Sequence, residues 1–341
     1  MAKRWVNRPE GSTWGDWGED DQRGRMNLVT PERRLAAAQE IQEGRCFCLS
    51  MPLNMPGGNA VNPKRFPPEI KPVFNPPESG DVYFNYRWDD AKPDCADLAS
   101  DECVTLYSQY STQWDSLAHI GSLFDADGDG EPEAVYYNGY RAGEHVKGPD
   151  DPAGMGARAL GVEPMALGGM QGRGVLVDFY KHFGNERVAI NYDMLMEVFR
   201  KDDIVVEEGD FFLFHTGWDD LILAMHGDPD AELLHSSCAV LDGFDERILQ
   251  WITDSGVVAL ISDNMAIEDP HGYGETQGGC SRLPIHRHCL FRLGVHLGEI
   301  WYLSELAAAL AERGRSRFFL TAPPLRLPGA VGSPVTPIAT I

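Results

Sequence analysis

The chain has 341 residues, and 52 acidic against 29 basic side chains give it a formal charge of −23 at pH 7. A surface of this sign repels phosphate backbones and anionic lipids, so the composition argues against nucleic acid and membrane partners. Apolar residues make up 43% and charged residues 24%, which excludes a disordered acidic tail or a fibre and is typical of a soluble globular protein.

Neither an export signal nor a membrane span is expected. Segment 1–11 has basic residues without an apolar run behind it, and the strongest apolar stretch, 256–261, is far too short to span a bilayer. Seven cysteines, an odd number, are scattered along the chain and predict reduced thiols. The closest pair, Cys46 and Cys48, is predicted to be buried and structural, because its spacing does not suit a zinc knuckle. We therefore expect a cytoplasmic protein.

In chain order, the first predicted element is a helix that begins after Thr30, a capping hydroxyl followed by proline, and ends before Gly44. The glycine-aromatic segment 14–18 before it fits neither helical nor strand periodicity. Two long loops rich in proline and glycine are predicted at about 54–80 and 143–172, and loops of this length often cover functional sites.

Strands and helices alternate only in part through the second half of the chain. The predicted strands there are 175–180, 204–206, 211–214, 257–262, 295–303 and 317–321. The predicted helices are 192–200, 245–254, 284–293 and 305–313, the last one capped by Ser304. Partial alternation favours a mixed α/β fold over a repeating barrel. Without an internal repeat or a convincing linker, we expect a single domain over residues 1–341 with an irregular N-terminal segment.

Three polar side chains in segment 112–119 are the first candidates for a catalytic or metal site. If this segment is extended, Gln113, Asp115 and His119 lie on one face, because side chains alternate across a strand. An amide oxygen, a carboxylate and an imidazole could hold a divalent metal, with His119 either ligating or transferring protons. The alternative is a solvated polar strand face that carries one histidine.

A second group of candidates lies further along the chain. Strand alternation places Glu299 on the same side as the apolar Leu297, where a carboxylate needs a metal or a cationic partner. His286 and His288 on the preceding predicted helix point apart, since residues two apart do not share a helix face, so at most one of them serves a site. The alternative is that these residues form no site: one of the histidines lies on the helix surface, and Glu299 pairs with an arginine.

Other acidic residues give weaker signals. Residues 125–130 resemble the first half of a calcium-binding loop, in which alternate carboxylates surround the cation and glycine makes the sharp turn. Tyr136 stands where the bidentate glutamate should be, so an acidic hairpin tip is favoured over a calcium site. Asp263 and Asn264 follow a predicted strand and are either site residues or a turn-forming pair.

Short motifs follow one another along nearly the whole chain in a recognisable order. They are WGDWG at 14–18, MNL at 26–28, QWD at 113–115 with His119, GRGVLVD at 172–178, GD at 209–210, TGW at 216–218, DN at 263–264, PIH at 284–286, GE at 298–299, and APP at 322–324 with Gly329 and SP at 333–334. In this order and spacing they resemble the metal-dependent cyclase superfamily, which includes bacterial kynurenine formamidase and isatin hydrolase, and most closely its longer branch.

The resemblance implies a swivelling β/β/α fold with mixed sheets, usually in a homodimer or homotetramer, and a catalytic Zn²⁺ or Mn²⁺ ion that activates water. The formamidase-like pattern is His-x-Gly-Thr-His-x-Asp-x-x-x-His. Thr112, Asp115 and His119 match it, whereas Gln109 and Gln113 stand at its two leading histidines. The loss of two imidazoles favours one harder ion such as Mn²⁺ over a two-zinc centre, with Gln113 contributing an amide oxygen.

Downstream, the family's histidine and glutamate correspond to His286, in preference to His288, and to Glu299. The leading hypothesis is therefore a metal-dependent hydrolase of a small cyclic or acylated amide or lactone. Gln113, Asp115 and His286 would hold the metal, and the catalytic residues would be His119, which transfers protons, and Glu299, which completes the coordination shell or orients His286.

The ring of the substrate is expected to lie against tryptophans, with core packing as the alternative for each of them. These residues are Trp14, Trp17, Trp114 and Trp218. Ring closure or dehydration by the same site is an alternative activity, and a catalytically degenerate oligomer that binds a ligand is the alternative without catalysis. The expected partner is a small molecule, and the sequence does not identify which one.

Overall fold

The computed structural model describes residues 3–90, 94–270, 274–276 and 279–341. Within these residues the α-helices are α1 Pro31–Ala37, α2 Val162–Gly168, α3 Tyr180–Phe183, α4 Tyr192–Asp202, α5 Trp218–Ala224, α6 Ala231–His235, α7 Glu246–Ser255, α8 Pro284–His286 and α9 Ser304–Glu312. A π-helix, Arg287–Leu293, continues directly from α8. Short 3-10 helices span Gly24–Leu28, Ala38–Glu40, Trp88–Asp90 and Tyr137–Gly139.

Most of the strands are short. They are β1 Cys46–Cys48, β2 Glu69–Pro72, β3 Tyr86–Arg87, β4 Leu98–Ala99, β5 Glu102–Thr105, β6 Gln113–Asp115, β7 Ser122–Phe124, β8 Glu133–Val135, β9 Val146–Lys147, β10 Gly156–Ala157, β11 Gln171–Asp178, β12 Ala189–Ile190, β13 Phe211–His215, β14 Val240–Leu241, β15 Ala259–Ser262, β16 Gly274–Thr276, β17 Gly279–Ser281, β18 His296–Glu299, β19 Arg317–Thr321, β20 Gly332–Pro334 and β21 Ile338–Thr340.

One large mixed sheet organises the molecule. Its strand order is β1-β21-β19-β11-β13-β15-β18-β6-β20. The central strands β11, β13, β15 and β18 are parallel to one another. The strands on both sides of them pair antiparallel, and the remaining strands form separate two-stranded sheets. This architecture confirms the expected α/β fold with mixed sheets.

Helices cover both faces of the sheet, so β13, β15 and β18 are buried at every residue instead of at alternate ones. In β13, Phe212 and Phe214 pack in a hydrophobic cluster that includes residues of α4 and α7. Phe211 and Leu213 point the other way, into a cluster that includes residues of α9. These two clusters form most of the core and pack on the strands that carry the candidate site residues.

Some predicted elements have other boundaries in the structure. The helix that follows Thr30 begins as expected, with the Thr30 side chain accepting a hydrogen bond from the Arg33 amide, but it turns into a 3-10 helix and ends at Glu40. The prediction of a strand at 204–206 is wrong. Ile204 and Val206 lie in an irregular segment and pack against the core from outside the sheet.

The two predicted loops are not equally irregular. Segment 54–80 contains β2 and otherwise turns and irregular backbone. Segment 143–172 contains β9, β10 and α2, so the prediction of one long loop there is wrong. Helix α2 has no side-chain cap, because Gly161 occupies the N-cap position, and Pro164 stands inside it. Both residues hide the helical pattern in the sequence.

Two expectations about the chain's chemistry can be compared with the structure. All seven cysteines are free thiols, as predicted, but Cys46 and Cys48 are exposed on β1 and not buried. Strand alternation explains this, because the side chain between them, Phe47, is the one that enters the core. Among the described residues, no helix combines the length and the apolar composition that a bilayer span needs.

Candidate metal site

The candidate metal site is formed by Gln113, Asp115, His119, His286 and Glu299. Strand β6 pairs antiparallel with β18, and this register sets Gln113 directly opposite Glu299. The Gln113 amide nitrogen Nε2 donates to Glu299 Oε2 at 3.0 Å. Gln113, Asp115 and Glu299 are all buried, although each would prefer water.

A turn, and not strand alternation, brings His119 to this site. Strand β6 ends at Asp115, and the His119 amide donates to the Ser116 carbonyl at 3.0 Å. The chain therefore folds back, and His119 Nε2 lies 3.8 Å from Asp115 Oδ2. The prediction that these two residues belong together agrees with the structure, but its geometric reason, a continuous strand, is wrong.

His286 enters from α8 and faces two carboxylates. Its Nε2 lies 3.1 Å from Glu299 Oε1 and 3.9 Å from Asp115 Oδ2. Its Nδ1 lies 2.9 Å from Glu268 Oε1. His288, two residues further on, points away and meets Thr253 Oγ1 at 2.9 Å. Of the two histidines, the structure thus brings His286 to the site, which is the one that the family resemblance implied.

Glu268 is a site residue that the sequence analysis missed. It is buried and accepts hydrogen bonds from the backbone amides of Ile285 and His286 at 2.9 and 2.8 Å, in addition to its contact with the His286 ring. This arrangement fixes the ring and directs Nε2 into the site. Glu268 lies in a loop five residues after Asp263, and no periodic pattern in the sequence distinguishes it from other loop glutamates.

Backbone strain occurs beside two of these carboxylates. Ile300, directly after Glu299, has a φ of 57°, and Ala266 and Ile267, directly before Glu268, have φ values of 75° and 61°. β-branched residues rarely adopt this left-handed region, and each instance costs on the order of 1–3 kcal/mol. The surrounding core holds both segments in these conformations, so the positions of Glu268 and Glu299 are strongly determined.

The protonation of the site reflects its burial. Burial disfavours an imidazolium, but hydrogen bonds to Glu268 and Glu299 raise the pKa of His286 to about 10. Burial also opposes ionisation of Glu299, and its hydrogen bond to His286 outweighs this and lowers the pKa of Glu299. Burial raises the pKa of Asp115, and the neighbouring Glu299 adds to that effect. The surroundings of the site therefore favour a positive charge there, whether a proton or another cation.

A divalent cation fits this set of ligand atoms. Ligand atoms of Asp115, His119 and His286 lie within 4.8 Å of one another. The Gln113 oxygen Oε1 is buried and has no hydrogen-bond partner, which is the state expected of an amide oxygen that ligates an ion. Among the described residues, no lysine or arginine forms an ion pair with Asp115, Glu268 or Glu299, so one or two imidazoles face three carboxylates. A hard divalent ion would balance this charge.

Gln109 links Asp115 to His119. Its amide nitrogen Nε2 donates to Asp115 Oδ1 and lies 3.2 Å from His119 Nδ1. An amide that donates to both groups makes His119 Nδ1 an acceptor, so the neutral ring carries its proton on Nε2. Arg65 donates to the Gln109 carbonyl and lines a small cavity with Tyr110 and Ile300, which are chain neighbours of the site residues Gln109 and Glu299.

Most of the predicted pocket tryptophans lie in the core. Trp14 and Trp114 are fully buried, and their indole N–H groups donate to the carbonyls of Phe291 and Ala322 at 2.7 Å. Trp218 is also buried and donates to the Leu234 carbonyl. Trp14 also packs edge-on against Phe124 and Phe291, and Trp114 against Trp301, so core packing, and not a wall of four tryptophans around a ligand, describes these residues. The fourth, Trp17, is half-buried.

The acidic hairpin near residue 125 has a protein cation at its centre. Arg141 contacts Asp127 at 3.3 Å and Glu133 at 2.8 Å. The carboxylate of Asp125 accepts from the backbone amides of Gly128 and Gly130. An arginine and the turn's own amides thus satisfy these groups, which supports the preference for a hairpin tip over a calcium site.

A second buried group of ionisable residues has a structural explanation. His215 lies 2.8 Å from Asp178 and 3.0 Å from the Ser304 hydroxyl. Asp219 accepts hydrogen bonds from the Leu303 and Ser304 amides at 2.7 and 2.9 Å, so Asp219, and not the predicted Ser304, caps helix α9. Protein donors already occupy the atoms that a metal would need.

Asp263 completes this buried group from the end of β15. Its carboxylate accepts hydrogen bonds from the amides of Thr216 and Trp218 at 2.9 to 3.0 Å. Burial, together with the charge of Asp219, raises the pKa of Asp263 to about 7. Of the two readings of Asp263 and Asn264, the structure favours a structural role, because Asn264 is likewise bonded to backbone groups.

Glu268→Gln is expected to weaken metal binding by about 10- to 100-fold, the usual effect of removing a partner that orients a ligand. A glutamine can accept from the His286 ring with its one oxygen, but its NH₂ group would then face a backbone N–H, and the ring would lose its fixed orientation. Competition with a chelator of known affinity measures the change. Glu312→Gln, at the exposed end of α9, is the matched control. Wild-type metal affinity in a folded Glu268→Gln protein would contradict this role.

Residues 48–269 match the protein family described as a putative cyclase. A crystal structure described as a novel cyclase is 32% identical, covers 97% of this chain and 97% of its own, and superimposes with a TM-score of 0.74. Isatin hydrolase A from Labrenzia aggregata, bound to benzyl benzoate, is 13% identical over 91% of this chain and 98% of its own, with a TM-score of 0.54. Isatin hydrolase A from Ralstonia solanacearum is 17% identical over 91% of this chain and 97% of its own, with a TM-score of 0.54. The two hydrolases are similar in fold, and no curated protein sequence matches the chain.

Proposed function

Because this chain belongs to the putative cyclase family, we propose that it is a metal-dependent hydrolase that cleaves a small cyclic or acylated amide or a lactone. The observation that carries the proposal is the buried contact of His286 with Glu299 and Asp115, beside the unpartnered oxygen of Gln113. Such a cluster is costly to bury unless it binds a cation. The shared fold of two isatin hydrolases, whose name refers to a cyclic amide, supports the choice of substrate class.

Gln113, Asp115 and His286 would hold the ion, and Glu299 would complete the coordination or hold His286 in place. A divalent cation there supplies Lewis acidity, which polarises a scissile carbonyl and lowers the pKa of water. Glu268 holds the Nδ1 side of the His286 ring, so Nε2, which bonds to Glu299 in this structure, would face the ion after losing its proton. The buried walls exclude bulk water, which strengthens every charge interaction inside.

His119 is the proposed proton-transfer residue. Its side chain is 21% exposed, whereas those of Asp115 and His286 are only 1% and 3% exposed, so His119 is the part of the cluster that a substrate could reach. Because Gln109 donates to Nδ1, the ring presents its Nε2–H to the site. That proton can pass to the leaving nitrogen or oxygen, and the ring can then recover it from water.

The proposal is tested with a panel of lactones, cyclic imides including isatin, and N-formyl anilines, assayed after reconstitution with Mn²⁺ or Zn²⁺. We expect metal-dependent hydrolysis of at least one class. His119→Asn is expected to lower kcat by about 10²- to 10⁴-fold, the range for loss of a general acid or base, while the bound metal stays.

A His182→Asn protein is the matched control, because His182 lies on α3 and pairs with Asp202 at the end of α4, and neither residue belongs to the site. Hydrolysis that survives exhaustive chelation would refute the metal-dependent mechanism. Loss of metal from His119→Asn would instead make His119 a ligand and leave proton transfer to another group.

A further inference from the structure

A cavity of about 310 Å³ lies between α7 and the π-helix, outside the candidate metal site. Arg247, Arg287 and Arg292 line it together with the carboxylate of Glu246. His288 also lines it but adds no charge, because burial and the neighbouring Arg292 lower its pKa to about 3. In a chain of formal charge −23, a cavity with three guanidinium groups and one carboxylate is an unusual concentration of positive charge.

The π-helix is what places two of these arginines together. Arg287 and Arg292 are five residues apart within it. In an α-helix of 3.6 residues per turn, residues five apart point in directions about 140° apart. A π-helix closes hydrogen bonds from residue i to i+5, so residues five apart come onto the same side of the helix, as residues four apart do in an α-helix. Both arginines therefore face the same space, and they also line a second, adjoining cavity.

The two guanidinium groups are close enough to repel each other. Burial lowers the pKa of Arg292, and the charge of Arg287 adds to this effect, partly offset by Glu10. Arg287 is half-buried, and its Nε donates to the Ser122 hydroxyl at 3.0 Å. Among the described residues, no carboxylate forms an ion pair with Arg287. Arg247, in contrast, is already bonded to both oxygens of Asp193.

We propose that this cavity is a binding site for a small doubly charged oxyanion, a phosphate or a dicarboxylate, which Arg287 and Arg292 would hold between their planar donor groups. An anion there relieves the repulsion of the two guanidinium groups and gives Arg287 an acidic partner, which none of the described residues supplies. Guanidinium groups suit such oxyanions because their parallel N–H groups match two oxygens at once. Arg287 directly follows the site residue His286 in the chain, so one segment of backbone contributes to both sites.

The test measures the shift of thermal unfolding by inorganic phosphate and by malonate, against sodium chloride at equal ionic strength. We expect saturable stabilisation by at least one of the two probes, and the comparison of phosphate with malonate identifies the preferred class. Asp115→Asn is included because phosphate could also bind a metal ion, and we expect stabilisation to persist in that variant.

Arg287→Gln is expected to lower the affinity for the anion by at least about 10-fold, which corresponds to the loss of one charge-assisted hydrogen bond. Arg287→Lys keeps the charge without the planar guanidinium group, so we expect its anion affinity to lie between those of the wild type and Arg287→Gln. The test then does not depend on one variant alone. Arg200→Gln, on the exposed surface of α4, is the matched control. The proposal would be overturned if sodium chloride stabilised the protein as much as phosphate and malonate do, or if both Arg287 variants kept the wild-type anion affinity.

Discussion

Asp115→Asn is expected to remove most of the bound metal and to lower turnover by on the order of 10³-fold, equivalent to about 4 kcal/mol of transition-state stabilisation. Asparagine keeps the size of the side chain but not its charge. Asp115 is fully buried between His119 and His286, and its charge has no substitute there, because Glu299 is engaged by Gln113 and His286. Elemental analysis of the purified variant, followed by assay on the active substrate, measures both effects.

The control for this substitution is Asp127→Asn, the same change at an exposed residue of the acidic hairpin. Its metal content and turnover should equal those of the wild type. A folded Asp115→Asn protein with full metal content and unchanged turnover would show that the cluster around His286 is a structural charge network. In that event the arrangement of Gln113 and Glu299 would need another explanation.

Asp219→Ala is expected to destabilise the fold by about 3–5 kcal/mol, because it leaves a buried cationic histidine and several buried donors without their partner. Asp219 is fully buried and accepts from the Leu303 and Ser304 amides and from the Ser304 hydroxyl. Urea unfolding measures the loss. Asp220→Ala, an exposed neighbour on the same helix, should change the free energy of unfolding by no more than about 0.5 kcal/mol. Equal stability of the two variants would contradict the role of this network.

The same network predicts a pH dependence. Burial disfavours the charged ring, but hydrogen bonds to Asp178 and Asp219 raise the pKa of His215 to about 11 in the folded protein, against about 6.5 when unfolded. The stabilisation from this proton is complete below pH 6.5 and is lost as the pH rises towards 11, by at most about 1.4 kcal/mol per pH unit. The advantage of the wild type over His215→Gln should therefore shrink between about pH 7 and 9. A constant difference would mean that His215 is neutral in the fold.

Part of the candidate site could be predicted from the sequence because Gln113, Asp115 and Glu299 lie on two strands with simple periodicity. Gln113 and Asp115 alternate around a buried tryptophan, and Glu299 stands in an apolar strand, where a carboxylate calls for a partner. Which strands pair could not be predicted, since β6 and β18 are separated by most of the chain. The roles of the residues in catalysis and metal binding remain predictions that the experiments above test.

Other features could not be predicted from local sequence patterns, because they depend on the tertiary fold. Glu268 lies in a loop that only the tertiary fold brings under α8, and the strained backbone before it has no sequence signature. The predicted helix 284–293 changes to π winding at Arg287, which depends on packing and not on propensity. The tryptophans were assigned to a ligand pocket because their chemistry permits it, yet Trp14 and Trp114 have their indole groups satisfied by backbone carbonyls in the core.

The position of β6 has a consequence for the order of events during synthesis. Asp115 lies on a strand whose two neighbours, β18 and β20, come from residues 296–299 and 332–334. Closing loops of this length is slow and entropically costly, and neither pairing can form until those residues have emerged from the ribosome. A nascent chain therefore brings the proposed ligands together only after residues 296–299 and 332–334 have been made, so a metal ion at this site could not nucleate folding of the first half.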